Sequence, residues 1–157
     1  MYTLENRHLF ECAREDRVRC IKTRDLVLEF AELARSQGLL AFEVQGKELE
    51  PFQVKMLNFM VDGLECNYIR KYMEAAIIAD GHTGLRLLEQ YVFFEGMMSI
   101  LEGTHPRVIE EQLNLIIGLD VIKYAKEMKK EQLEREFISA MDVHKLKVTI
   151  DRMAGKR

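Results

Sequence analysis

The sequence predicts an all-α fold: a compact bundle of about six to eight helices built from helical hairpins. Three observations carry that expectation. Apolar residues recur three and four positions apart along nearly the whole chain. Only two prolines and nine glycines interrupt it, and several of the glycines stand where an amphipathic run stops. The chain has 157 residues, 48% of them apolar, which suits one folded domain over residues 1–157 with a real core.

Taken in order, Thr3 caps a first helix that runs through Leu9, Phe10 and Ala13 to about Ile21. Thr23 or Asp25 starts a second, with Leu26, Phe30, Leu33 and Ala34 on one face and Gly38 as its stop. Residues 45–50 read as a polar loop. Pro51 suits the first turn of a third helix, which buries Phe52, Leu57, Met60 and Val61 and stops at Gly63. Asn67 caps a fourth with a stripe of Ile69, Met73, Ala76 and Ile77. Residues 80–84 form a turn. A fifth helix spans about 85–102, and Thr104, His105 and Pro106 open a sixth that buries Ile109, Leu113 and Ile116. After Gly118 comes a long helix with Val121, Ile122, Ala125 and Met128, and then a last one with Val143, Leu146, Ile150 and Met153. The final residues, 154–157, are expected to fray.

A weak internal repeat lies at an offset of forty residues. Placing 57–63 over 97–103 sets Gly63 on Gly103, Asp62 on Glu102, Ile69 on Ile109, Met73 on Leu113 and Ile77 on Ile117. Each copy reads as helix, glycine stop, capped loop, helix. A hairpin cannot bury its apolar face alone, so residues 57–117 are expected to form two stacked copies. Two unrelated amphipathic helices with glycine stops give the same pattern.

The net charge is −3, so whole-molecule attraction to nucleic acid is not expected. The charge is unevenly spread: six basic and thirteen acidic residues over 43–120, ten basic and six acidic over 121–157. An acidic middle and a basic tail could suit a charged partner surface, but solvated helix faces are the more ordinary source of such a pattern. Three cysteines (Cys12, Cys20, Cys66) without a close CxxC pair argue against a disulfide framework and for a reducing, cytoplasmic location. The charged N-terminal stretch does not read as a signal peptide, and no apolar run approaches the ~20 residues of a membrane helix, so no membrane insertion is expected.

The sequence carries no recognisable catalytic pattern and no cofactor motif. Gly81–x–x–Gly84 is a turn rather than a phosphate loop. His8 and Cys12, four apart on the expected first helix, lack the further ligands of a zinc site, so no metal is assigned. Glu110 and Glu111 are neighbours and point in different directions on a helix. An enzyme would need a site assembled from distant residues such as His82, His105 and Glu110. Nine methionines suit either an adaptable binding surface or core filling.

Residues 31–43, AELARSQGLLAFE, resemble the A-x-x-A-R-x-x-G-L-L-x-L-E signature of the flagellar stator family MotA. FMVDG at 59–63 resembles that family's V-V-D-G, and IRKYMEAAI at 69–77 its I-R-x-I-L-E-x-E-I. The order and approximate spacing agree over about residues 26–80, half of the chain. The resemblance implies a helical module of the kind that lies in the cytoplasm and touches the rotor's switch protein, FliG, through charged residues. The two positions that match those contacts are Arg35 and Glu43, on either side of Gly38. Read from the residues alone, Arg35 is an ordinary cation in a last helical turn and Glu43 a loop residue. The departures are the missing membrane helices, fewer acidic residues in 69–77, and Tyr91-Val92-Phe93-Phe94 where the family continues towards its third membrane helix. Ion conduction is therefore not carried over. The expected function is a protein-binding module without catalysis, its partner the switch protein, with self-association through an exposed apolar face as an accompanying expectation. The alternative is a helical-repeat scaffold or adaptor unrelated to motility.

Overall fold

The computed structural model describes residues 5–44 and 48–155. Thr3, the first part of the 45–50 loop and the two final residues lie outside the described residues. So do the side chains of Val143, Leu146, Ile150 and Met153. The chain is all-helical, with no strand among the described residues. A 3-10 turn at Arg7–Phe10 and a single helical turn α1 (Arg14–Arg17) precede α2 (Cys20–Gln37). A second 3-10 turn, Leu39–Val44, leads to α3 (Pro51–Val61), α4 (Cys66–Asp80), α5 (Gly84–Leu101), α6 (Pro106–Ile117) and α7 (Leu119–Ala154). The chain divides into two compact units, Met1–Ile122 and Lys123–Arg157, where the sequence pattern suggests one domain.

Helix α5 is the axis of the first unit. Twelve of its eighteen residues are buried, among them the run Gln90 to Phe94, so it is apolar all round as a central helix must be. It packs against α2, α3, α4, α6 and the first 3-10 turn. A close approach lies at Gly96, where a Cβ would stand 2.5 Å from Val27 Cγ1 on α2 and 3.1 Å from Leu113 Cδ1 on α6. Glycine is required there by space, because any side chain would push three helices apart. Phe30, Phe93, Phe94, Met56, Met60, Met73, Met97 and Met98 are core residues, all essentially inaccessible. These methionines fill the core, whereas Met128 and Met141 on α7 are exposed.

Several boundaries differ from the sequence pattern for identifiable reasons. The expected first helix is broken: Glu11 and Ala13 are extended, with ψ near 120° and 148°. Phe10 is drawn onto α5, edge-on to Tyr91 at 5.5 Å, and burying that ring outweighs continuing the helix. Helix α2 starts at Cys20, and its buried face is Cys20, Val27, Phe30 and Ala31, with Leu26, Leu33 and Ala34 along the edges. Glu65, not Asn67, is the N-cap of α4, and Ile117 rather than Ile116 completes the stripe of α6. The last two expected helices are one continuous helix of 36 residues.

The two hairpins at an offset of forty share their backbone hydrogen bonds. Gly63 N–H donates to Met60 O and Gly103 N–H to Ile100 O, with φ of 71° and 74°. Leu64 N–H reaches Phe59 O as Thr104 N–H reaches Ser99 O, each closing a helix C-terminus in the same way. Tyr68 and Ile69 both donate to Glu65 O, as Val108 and Ile109 both donate to His105 O. Ile69, Met73 and Ile77 are buried in one copy, and Ile109, Leu113 and Ile117 in the other.

The Gly96 junction gives a direct test. Gly96→Ala gains about 1 kcal/mol of helix propensity but is expected to lose about 1–3 kcal/mol to overpacking, for a net loss of stability in urea denaturation. Because the obstructing atoms belong to Val27, Val27→Ala with Gly96→Ala is expected to cost less than the sum of the two single changes, a coupling that a double-mutant cycle reads directly.

Candidate protein-binding site

Helix α2 ends in a conformation that only glycine adopts readily. Gly38 has φ 80° and ψ 172°, and its N–H donates to Ala34 O at 2.9 Å. The chain therefore leaves the helix at a fixed angle and enters the Leu39–Val44 turn. Phe42 anchors that turn from beneath, buried and edge-on to Phe30 with ring centroids 5.0 Å apart. With Phe42 held inward and Leu39 half-buried, Leu40 and Glu43 face outward. Leu40 is 68% exposed, and Arg35 is exposed in the preceding helical turn. Arg35, Leu40 and Glu43 thus share one rigid corner. Among the described residues, neither Arg35 nor Glu43 has an ion-pair partner.

A cleft of about 210 Å³ opens beside Arg35, between the C-terminal ends of α2 and α5. Ala31, Ala34, Leu39 and Ile100 line it, with Thr104 at its edge. Its lining is mostly apolar, and Arg35 is its one charged residue. Glu43 does not line it, so the two expected contact residues share a corner without converging on one cavity.

Leu40 went unnoticed in the sequence. In the stretch GLLAFE, four apolar residues follow the glycine, and the short 3-10 turn does not continue the helical period that separates inward from outward positions. Other residues in the resembling segments are committed internally. Arg70 pairs with Glu95 at 3.4 Å, Glu102 at 3.7 Å and Glu74 at 3.9 Å, and its guanidinium lies over the Phe94 ring. It braces α4 against α5 and is not presented to a partner.

The residues considered for chemistry are not brought together. His82 precedes α5 and His105 follows it, so the length of that helix, roughly 27 Å, separates them. His105 is the N-cap of α6, its ring nitrogen accepting from Arg107 N–H at 3.2 Å. Glu111 is exposed and pairs with Arg107, whereas Glu110 is half-buried on another side of α6. His8 and Cys12 do not share a helical face, because the break at Glu11 lies between them. Among the described residues no group of three or more His, Cys, Asp or Glu side chains is arranged to hold a metal ion.

A second, polar cleft of about 110 Å³ lies among α2, α3 and α5, but its charges satisfy one another. Arg86 meets Glu50 at 2.6 Å and Arg19 meets Glu89 at 3.6 Å. The hydrogen bond from Arg86 to Glu50 holds the guanidinium charged more firmly than usual. The three cysteines are free thiols, and Cys20 is fully buried. Burial pushes the Cys20 thiol up to about 12, with Glu89 adding to the effect. Burial also raises Cys12, opposed by the nearby charge of Arg17. No family model, no curated protein and no solved structure matches the chain.

Two outcomes follow from this geometry. Gly38→Ala is expected to lower stability by about 1–3 kcal/mol through backbone strain alone, since no atom stands within 4 Å of the new methyl. The exposed neighbour Gln37→Ala is expected to stay within about 0.5 kcal/mol in the same denaturation measurement. The raised Cys20 thiol stabilises the fold below its unfolded value near 9, and that contribution is lost as pH rises towards 12. Unfolding free energies from urea denaturation between pH 8 and pH 11 are expected to fall by up to about 1.4 kcal/mol per pH unit from this thiol, a component that Cys20→Ala removes.

Proposed function

We propose that the chain is a helical protein-binding module that presents Arg35, Leu40 and Glu43 to the flagellar rotor's switch protein and acts by binding rather than by catalysis. The observation that carries this reading is the corner itself. Three outward side chains stand about a turn fixed by Gly38 and Phe42: the basic Arg35 in the last turn of α2, and the apolar Leu40 and acidic Glu43 on the turn itself. The likeness of residues 31–43 to the stator signature supplies the partner. Opposite charges on either side of an apolar anchor give orientation and fast encounter, while Leu40 supplies the desolvated centre of the contact. The acidic excess of residues 43–120 adds long-range attraction to a basic surface. Ion transport is no part of this reading, and no described helix is long and apolar enough to cross a membrane.

A second reading, a helical-repeat scaffold unrelated to motility, is favoured by the matched hydrogen bonds of the two hairpins. It places the partner surface on the hairpin faces rather than at the Arg35 corner.

A binding titration against purified switch protein at low and high salt separates the two. The expected result is affinity that falls as salt rises, and that falls about fivefold or more in each of Arg35→Glu, Glu43→Lys and Leu40→Ala. Absence of binding by the folded chain would reject the motor reading in favour of the scaffold.

A further inference from the structure

We infer that α7 pairs with α7 of a second copy of this chain, in antiparallel orientation, over residues 133–148. The inference is independent of the Arg35 corner and of the partner proposed there.

Helix α7 is long, with residues 126–142 all exposed. Its own charges support it along its length. Lys123–Glu127, Lys130–Glu134 and Glu131–Arg135 pair one turn apart at 3.9–4.0 Å, and Gln132 donates to Glu136 at 3.0 Å. Those pairs explain how the helix persists in water, but not its apolar residues. Leu133, Phe137, Ile138, Met141 and Val148 remain 43–67% exposed. At about 100° per residue, Leu133, Phe137, Ala140, Met141 and Val148 fall within one arc of about 100°, the width of a packing face. Forty residues earlier the same register holds Phe93, Met97 and Leu101 of α5, all packed in the core. The same arc holds His144, so the stripe is apolar but for one histidine, and a largely apolar stripe on an exposed helix marks an interaction surface.

The order of charges selects the occupant. Glu134 and Glu136 lie on the N-terminal side of the stripe's midpoint, and Lys145 and Lys147 on the C-terminal side. A two-fold axis between residues 140 and 141 places Leu133 opposite Val148 of the second copy and Ala140 opposite Met141. The same axis brings Glu134 and Glu136 alongside Lys145 and Lys147 of the second copy. Parallel pairing would instead set glutamates beside glutamates and lysines beside lysines. A self-complementary face of this kind is what a two-fold dimer requires. Five apolar side chains offer on the order of 500 Å² per copy, about 1,000 Å² for the pair, at the lower edge of specific interfaces. The dimer is therefore weak and concentration-dependent.

Sedimentation velocity of the full chain, from low micromolar to a few hundred micromolar, tests this. The expected result is a mass rising from one copy towards two. Phe137→Glu is expected to hold the chain monomeric throughout, with helicity unchanged by circular dichroism. Glu134→Lys with Glu136→Lys is expected to weaken the dimer about tenfold, and adding Lys145→Glu and Lys147→Glu to restore it. A wild-type chain that stays monomeric, or a Phe137→Glu chain that still dimerises, overturns the pairing. Charge reversal without loss, or a fourfold variant that is not restored, overturns the antiparallel orientation.

Discussion

Three helices meet beside the α-carbon of Gly96, and the first unit is arranged around that meeting. Val27 of α2 and Leu113 of α6 occupy the space where a side chain on α5 would stand. The approach lets α5 bury almost its whole circumference, and α5 in turn supports the second helix of each hairpin. Tyr91 receives Phe10, Phe94 receives the guanidinium of Arg70, and Ser99 donates to Gln112 Oε1 at 2.9 Å. A glycine in mid-helix carries an entropic cost. Here it is offset by dense packing on both sides, since a void or an extra methyl in such a core costs more than the propensity lost.

The Arg35 corner depends on the same frame at one remove. Phe42 holds the Leu39–Val44 turn only because Phe30 is fixed on the buried face of α2, next to α5. Gly38 sets the direction in which the turn departs. A contact surface built this way loses little conformational freedom on binding, so exposed charges there act through orientation and encounter rate rather than through large individual energies. Arg70 makes the contrast clear. Equally part of a segment that resembles the stator family, it faces three carboxylates and a ring, and its charge is used within the fold.

Most of the helical framework was legible in the sequence because its signals are local. The glycines at 38, 63, 81 and 103 stop helices through their own backbone freedom, and the stripes of α4 and α6 follow the helical period. What was not legible depends on distant residues. The break at Glu11 follows from Phe10 reaching Tyr91, eighty-one positions away. The necessity of Gly96 resides in Val27 and Leu113, and no local pattern marks a mid-helix glycine as a point of close approach. At the candidate site Arg35 and Glu43 are marked by a motif, whereas the exposure of Leu40 depends on Phe42 taking the inward position. The joining of two expected helices into α7 has a similar origin: nothing between residues 128 and 143 is a glycine or proline, so no local signal ends the helix.

The charge distribution links the two units without requiring any particular placement of one against the other. In the first unit, arginines at 24, 70 and 86 are engaged with Asp25, Glu50, Glu74, Glu95 and Glu102, so their positive charge is largely consumed internally. The excess acid of residues 43–120 is left to face outward. In α7 the pairing is between neighbours one turn apart, which neutralises the helix surface locally without fixing it to anything else. An apolar stripe bordered by locally balanced charge discriminates through the order of its charges rather than through their sum. That is the property needed for a helix that recognises its own reversed sequence, and it does not call for a partner of strongly opposite charge.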